Sequence, residues 1–428
     1  MDVVSESLTP LASAAIIAVG SELLGSTRVD SNSLFIADEL AALGIPLRAK
    51  AVVGDEPAEL ASMFRHFLQR VDVVVFTGGL GPTDDDVTRE VVAEVLGIPL
   101  LADAAILERI SQRFARRGLR MPEVNRKQAM VPRGATVLDN PNGTAPGLAL
   151  EHGHRVVILL PGPPRELQPM MQQLARGLLA SRAGPERIFR AMLFVTGRSE
   201  SHVEEIAQPL YSRWRDANPP IETTILASPG QIELHLSTRH HDAELGTRAV
   251  TDARETLAAA LGSDVFSTDG RSMEQIVGEL LTQQRMTIAI AESCTGGLLM
   301  SRLTDVPGSS AYLNGGVVAY SNDVKVALAN VPPGLIEAHG AVSEPVAAAL
   351  ADGIRARANA TIGVGVTGIA GPGGGTPAKP VGTVCIAVVA GDGLAKVRSF
   401  SFPGARTQIK FFASQAALDM VRRVLLGV

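Results

Sequence analysis

Apolar residues follow two rhythms along this chain. Short continuous runs at 14–19, 47–53, 73–77, 287–291 and 361–367 read as buried strands. Between the first two, residues 31–43 place Leu34, Ile36, Ala37, Leu40 and Ala41 at helical spacing, with Gly44 as the stop. Residues 58–71 repeat that helical pattern. The alternation predicts βαβ units and a mostly parallel, doubly wound sheet in the N-terminal third. From about 180 to 265 the order changes: strand 188–196, helix 199–214, strands 222–227 and 231–238 about the turn Ser228-Pro-Gly230, helix 242–261, strand 264–267. That βαββαβ order predicts a small α+β domain. The α/β rhythm then returns, with helices at 273–281, 298–303, 345–358 and 408–426. Its strands fall at 287–291, 317–320, 361–367, 381–390 and 396–402, the last two as a hairpin about Gly391-Asp-Gly393. The division read from this pattern is 1–178, 179–268 and 269–428, α/β at both ends with a small α+β domain between.

Composition narrows the class. With 428 residues the chain exceeds one ordinary core, and 46% apolar residues argue against extensive disorder. Lys+Arg 39 against Asp+Glu 44 gives a net charge of −5, and aromatics are 4%, which argues against a general nucleic-acid binder. Two cysteines, Cys294 and Cys385, give no disulfide framework and point to a reducing cytoplasm. The first ten residues carry no basic side chain and do not read as a signal peptide, and no apolar run reaches membrane-spanning length.

Candidate chemistry lies after strands. The third strand feeds Thr77-Gly-Gly-Leu-Gly-Pro-Thr-Asp-Asp-Asp86. Glycines placed there let backbone N–H groups approach an anion. Asp84, Asp85 and Asp86 beside such a nest would repel a phosphate unless a hard divalent cation lay between them. The competing reading is that the acidic triplet caps a helix at 89–96. Gly20-Ser-Glu22, Asp30-Ser-Asn32, this loop, Asn140-Pro-Asn142-Gly143-Thr144-Ala-Pro-Gly147 and Leu160-Pro161-Gly162-Pro-Pro together resemble the N-terminal domain of the CinA family, related to the molybdopterin-binding fold of the MoaB and MogA type. The resemblance assigns functional aspartates to Asp86 and Asp55, adds Asp85, and leaves Asp84 at a variable position. It implies a nucleotide site at Glu22, Asp30, Asn32, Asp55, Thr77, Gly78, Gly79, Gly81, Asn142, Gly143, Thr144, Pro161 and Gly162. It also implies a divalent metal (Mg2+ or similar) on Asp85 and Asp86, allows a monovalent cation beside it, and points to hydrolysis of ADP-ribose.

The middle domain is described as KH-like in that family, but 180–265 contains no Gly-x-x-Gly clamp and is richer in acid than in Arg. It reads as a spacer or dimerisation element. His240-His241 read as a solvated strand end, since adjacent strand positions point to different faces, and His152 and His154 as turn residues.

In the last third, Ser293 follows a strand and precedes Gly296-Gly297, which open a helix. That setting suits a nucleophile beside an oxyanion hole. Tyr320, Lys325 and Thr367 also fall at or beyond strand ends, where one sheet would gather them. Glu-Ser293-Cys-Thr-Gly-Gly297, Pro307-Gly-Ser-Ser310, Tyr320-Ser-Asn-x-x-Lys325 and Thr367-Gly-Ile-Ala-Gly-Pro372 resemble the nicotinamide mononucleotide (NMN) amidohydrolases of the PncC type, over roughly 270–428. The resemblance implies Ser293 as nucleophile and Lys325 as base, with Tyr320 and Thr367 in the same site and no metal for this step. Thr295, Gly296, Gly297, Ser310, Gly371, Gly373 and Arg406 are substrate-binding candidates. Cys294 is the rival nucleophile, because a helix N-terminus lowers a thiol pKa. The expected protein is a two-headed hydrolase of small-molecule nucleotides, NMN and ADP-ribose, and a homodimer by family resemblance. The alternatives are a non-catalytic pterin or nucleotide binder at the N-terminus, and a competence-related interaction protein.

Overall fold

The computed structural model describes residues 9–26, 28–391, 393 and 395–428. The chain divides into two compact units, Met1–Phe189 with Arg239–Gly246, and Arg190–Thr238 with Thr247–Val428.

In the first unit the strands are β1 (Ala14–Val19), β2 (Leu47–Val53), β3 (Val73–Thr77), β4 (Leu100–Ala102), β5 (Met130–Pro132), β6 (Thr136–Leu138), β7 (Gly147–His152) and β8 (Arg155–Leu160). Six of them form one sheet in the order β2-β1-β3-β8-β7-β6. β2, β1, β3 and β8 run parallel, and β7 and β6 extend the sheet antiparallel. β1 is buried throughout because both faces are covered. Ala15, Ile17 and Val19 enter one core, while Ala14 and Ile16 enter the other. That period of two is why its sequence is a continuous apolar run. The chain leaves β1 for neighbours on both sides, so a crevice opens beyond the carboxyl ends of β1 and β3. Helices Asn32–Ala42 and Pro57–Leu68 stand where the periodicity puts them, within a residue or a few at their ends, and Thr88–Leu96 and Pro164–Leu174 follow the glycine loop and the Pro-Gly-Pro-Pro turn. The helix Ala104–Ala115 and the short strands β4 to β6 were not read from the pattern.

Four strands follow: β9 (Arg187–Val195), β10 (Glu222–Ser228), β11 (Gln231–His240) and β12 (Val265–Ser267), paired in the order β10-β11-β9-β12. β10 and β11 meet at Ser228↔Gln231, the turn the Pro-Gly pair predicts. One expectation fails here. The rings of His240 and His241 do not diverge but stack, with centroids 4.4 Å apart, because the strand ends at that point. His240 Nδ1 instead accepts the Asp242 N–H at 3.0 Å.

The last sheet holds β13 (Ile288–Glu292), β14 (Leu313–Val318), β15 (Ile362–Gly368), β16 (Thr383–Ala390) and β17 (Ala395–Ser401), in the order β14-β13-β15-β16-β17. β13 is parallel to both neighbours, and β16 and β17 complete the sheet antiparallel. Of the hairpin tip predicted between them, Asp392 lies outside the described residues. β14 starts and ends earlier than predicted, at Leu313–Val318 rather than 317–320. Asn314-Gly315-Gly316 looks like a turn but is strand: a Cβ at Gly316 would stand 2.3 Å from the Ile290 carbonyl oxygen, so the close approach requires glycine.

Candidate functional site

β14, β13 and β15 are neighbours and parallel, so their carboxyl ends bring Ala319-Tyr320, Ser293 and Thr367 to one edge. The Ser293 N–H donates to Val366 O at 2.9 Å, and the Ala319 N–H to Glu292 O at 2.6 Å. Gly296 and Gly297 turn the chain with φ of 62° and 89°, a region that favours glycine. The helix they open, Leu298–Thr304, is aimed by the buried Glu292. Its carboxylate accepts the N–H groups of Gly297 (3.0 Å), Leu299 (3.1 Å) and Met300 (2.9 Å). Three orphan donors at a helix start are thereby satisfied by one side chain. Ser293 is held between that anchor and β15, and is itself buried.

Lys325 lies in the helix Asn322–Ala329, capped by Ser321, and is only 2% exposed. Its Nζ donates to the carbonyls of Ala319 (3.0 Å) and Tyr320 (3.2 Å). Burial holds its pKa below the ordinary lysine range. No carboxylate pairs with it among the described residues. Thr367 Oγ1 donates to Ala341 O at 2.8 Å, which fixes β15 against the segment before the helix Glu344–Arg357. Arg406, the first residue of the helix Arg406–Leu426, donates to Gly371 O (2.9 Å) and to the Tyr320 hydroxyl (3.0 Å). It bridges the glycine loop and the exposed tyrosine. Thr295 is fully buried, with no partner for its hydroxyl.

Cys294 is a correction. Its neighbour Glu292, not the thiol, takes up the helix N-terminus, and burial pushes the Cys294 pKa up to about 12. Ser310 also lands elsewhere. It sits before β14, whose first residue pairs with Ile288, so it lies at the opposite edge of the sheet from Ser293 in the chain. Gly373 is exposed in the glycine loop, while Gly371 is buried under Arg406. Lys410 went unread. It stands one helical turn from Arg406, with Nζ 3.5 Å from where a Cβ on Gly296 would be. The i, i+4 spacing of two cations is the signal that was available.

In the first unit a cleft of about 740 Å3 opens beyond β1 and β3. Every N-terminal residue singled out above lines it, from Glu22 through Gly162 and including Asp85 and Asp86, whereas Asp84 does not. The glycine loop is braced from behind. Buried Arg89 donates to Leu80 O (2.9 Å) and Gly81 O (3.1 Å), and the Thr88 hydroxyl to Gly78 O (3.0 Å). With its carbonyls so engaged, the loop leaves the Gly79 and Leu80 N–H groups without an acceptor among the described residues. Asp86 accepts the N–H groups of Gly81 (2.7 Å) and Thr83 (2.9 Å), so its carboxylate builds the loop. Asp55 likewise ties Ser21 by its N–H at 2.9 Å, and Asp30 caps Ser33 at 3.0 Å. Asn32 donates to Gly162 O at 2.7 Å, and its own oxygen is buried without a partner. The cleft also takes Arg165, which continues the Leu160-Pro-Gly-Pro-Pro motif, and Arg28, Arg113 and Arg117, which the sequence motifs do not mark.

A divalent cation implied for this cleft meets a mixed donor set. Asp86 already serves two N–H groups, Asp85 is exposed, and no group of three His, Cys, Asp or Glu clusters among the described residues. Asp85 and the Asn32 oxygen, which has no partner among the described residues, both line the cleft as oxygen donors to which a ligand's phosphate oxygens could be added. They do not fit a cation caged by protein alone.

Residues 270–425 match the family described as CinA C-terminal domain, and 15–181 the probable molybdopterin binding domain. A CinA-like protein of Koribacter versatilis is 46% identical over 96% of this chain and 100% of its own length. The chain belongs to the CinA family. A putative competence-damage inducible protein of Symbiobacterium thermophilum is 44% identical over 97% of this chain and 99% of its own. A crystal structure of the competence/damage inducible protein CihA from Agrobacterium tumefaciens shares 37% identity over 36% of this chain and 93% of that one, with a TM-score of 0.35. No helix among the described residues of this CinA-family chain is long and apolar enough to cross a membrane.

Proposed function

We propose that the C-terminal site is a serine amidohydrolase acting on the carboxamide of NMN. The observation that carries this reading is Lys325: a buried lysine with no acidic partner among the described residues, its pKa lowered by burial, hung on the two carbonyls that follow the strand beside Ser293. Ser293 Oγ attacks the carboxamide carbon, and Lys325 takes the hydroxyl proton and passes it to the departing nitrogen. Ammonia leaves an acyl-enzyme, and water, deprotonated by the same amine, releases nicotinate mononucleotide and restores Ser293. Arg406 and the glycine loop hold the phosphate. Ser293→Ala is expected to abolish ammonia release from NMN, while Cys294→Ala retains it; the reverse result overturns the assignment.

The N-terminal cleft supports a second activity, hydrolysis of a nucleoside diphosphate conjugate of the ADP-ribose class, on the strength of the glycine nest beside Asp85. A divalent cation bound there would neutralise the diphosphate and lower the pKa of a water. The braced N–H groups orient the diphosphate, and Asp85 places the cation. A binder without turnover would hold ADP-ribose yet leave it intact when Mg2+ is added. An interaction protein with neither activity is the outcome if both substrates survive.

A further inference from the structure

A second hollow of about 320 Å3 adjoins the nucleotide cleft. The two share Arg113, Gly143 and Thr144 as lining. Gly143 is the sill between them. The Glu166 carboxylate packs against it, with Oε2 1.8 Å from where a Cβ on Gly143 would stand, so the position admits only glycine. The floor of the hollow is apolar, with Ile106, Ile110 and Pro146, and its rim carries Arg109, Arg113 and Arg116. The loop that forms the sill also fixes two of these cations. Arg113 donates to Pro141 O at 2.9 Å, and Arg109 pairs with Asp139. No carboxylate lines the hollow itself, and Arg113 and Arg116 have no acidic partner among the described residues.

An apolar floor under a rim of three arginines, of which Arg109 is paired with Asp139, suits a ring and a phosphate together. We propose that the hollow, which adjoins the cleft along Arg113 and Thr144, is a distal subsite for a nucleoside carrying a phosphate in addition to the diphosphate held by the glycine nest. The inference rests on the reading of the main cleft as a nucleotide site, and narrows its ligand class to conjugates phosphorylated on a ribose hydroxyl. An unphosphorylated conjugate leaves the two arginines facing water.

The test is calorimetric titration of the full chain with ADP-ribose and with ADP-ribose 2′-phosphate. The phosphorylated ligand is expected to bind roughly tenfold tighter, the gain of one charge-assisted contact. Arg116→Ala and Arg109→Gln should shrink that ratio to within twofold while leaving ADP-ribose affinity unchanged, which also controls for folding. Equal affinities in the parent chain, or variants that weaken both ligands alike, would overturn the subsite alone. Failure of both ligands to bind would overturn the reading of the main cleft and the subsite with it.

Discussion

Lys325 sets the acid–base behaviour of the C-terminal site. Burial disfavours its ammonium form, so the amine titrates below the ordinary value of 10.5. The unfolded chain holds that proton more tightly, so this group makes stability rise with pH between its folded and unfolded values. The proposed mechanism needs the neutral amine. A pH profile of kcat/KM for ammonia release should therefore climb with pH and level off below 10.5; a limb still rising beyond that point would remove Lys325 as the base. Lys325→Met should lower kcat by about 10²- to 10⁴-fold, the scale of a lost general base. Ser293, Tyr320, Lys325 and Thr367 were named from the family motifs; the buried apolar runs put Ser293 and Thr367 at strand ends, which the structure places at the ends of β13 and β15. The high pKa of Cys294 was not legible in the sequence, since helix position is local while burial belongs to the packed core. Asp86 was legible as a site residue, but its bonds to Gly81 and Thr83 depend on how the loop closes.

Elements show the same divide. The helix Glu344–Arg357 lies directly on β15, because a Cβ on Gly365 would stand 2.2 Å from Ala347 O and one on Gly363 2.0 Å from Ala351 O. Gly365→Ala is expected to destabilise the protein by about 1–3 kcal/mol through this overpacking, and chemical denaturation reads the change directly. At the start of Leu298–Thr304, Glu292→Gln keeps the shape but trades one carboxylate oxygen for an NH2 that faces N–H donors. The cost is about 1–3 kcal/mol, and kcat should fall with it, because the turn carrying Ser293 loses its anchor. A stability loss with unchanged kcat would mean that the anchor does not position the nucleophile. Long strands and amphipathic helices could be read from periodicity within a residue or a few. β14 could not, because Gly316 answers to the backbone of β13 and to Met300 rather than to any pattern of its own.

At the scale of the molecule, the two candidate sites belong to separate compact units and differ in what they need. In the proposed functions the C-terminal one would use a lysine where the N-terminal one would meet a phosphate with a carboxylate. A cation would be the physical remedy for the second arrangement and is not required by the first. Chelation of divalent metal in the full chain should consequently stop ADP-ribose hydrolysis and leave NMN deamidation within twofold. Asp85→Asn should reproduce the effect of the chelator without one, since a neutral amide removes the charge that holds the cation beside the diphosphate. Ser293→Ala should do the converse, ending ammonia release while ADP-ribose is still cleaved. Each variant thereby serves as the folding control for the other. Loss of both activities on chelation, or on either single substitution, would mean that the sites depend on one another, and the independence inferred from their separate chemistry would be wrong.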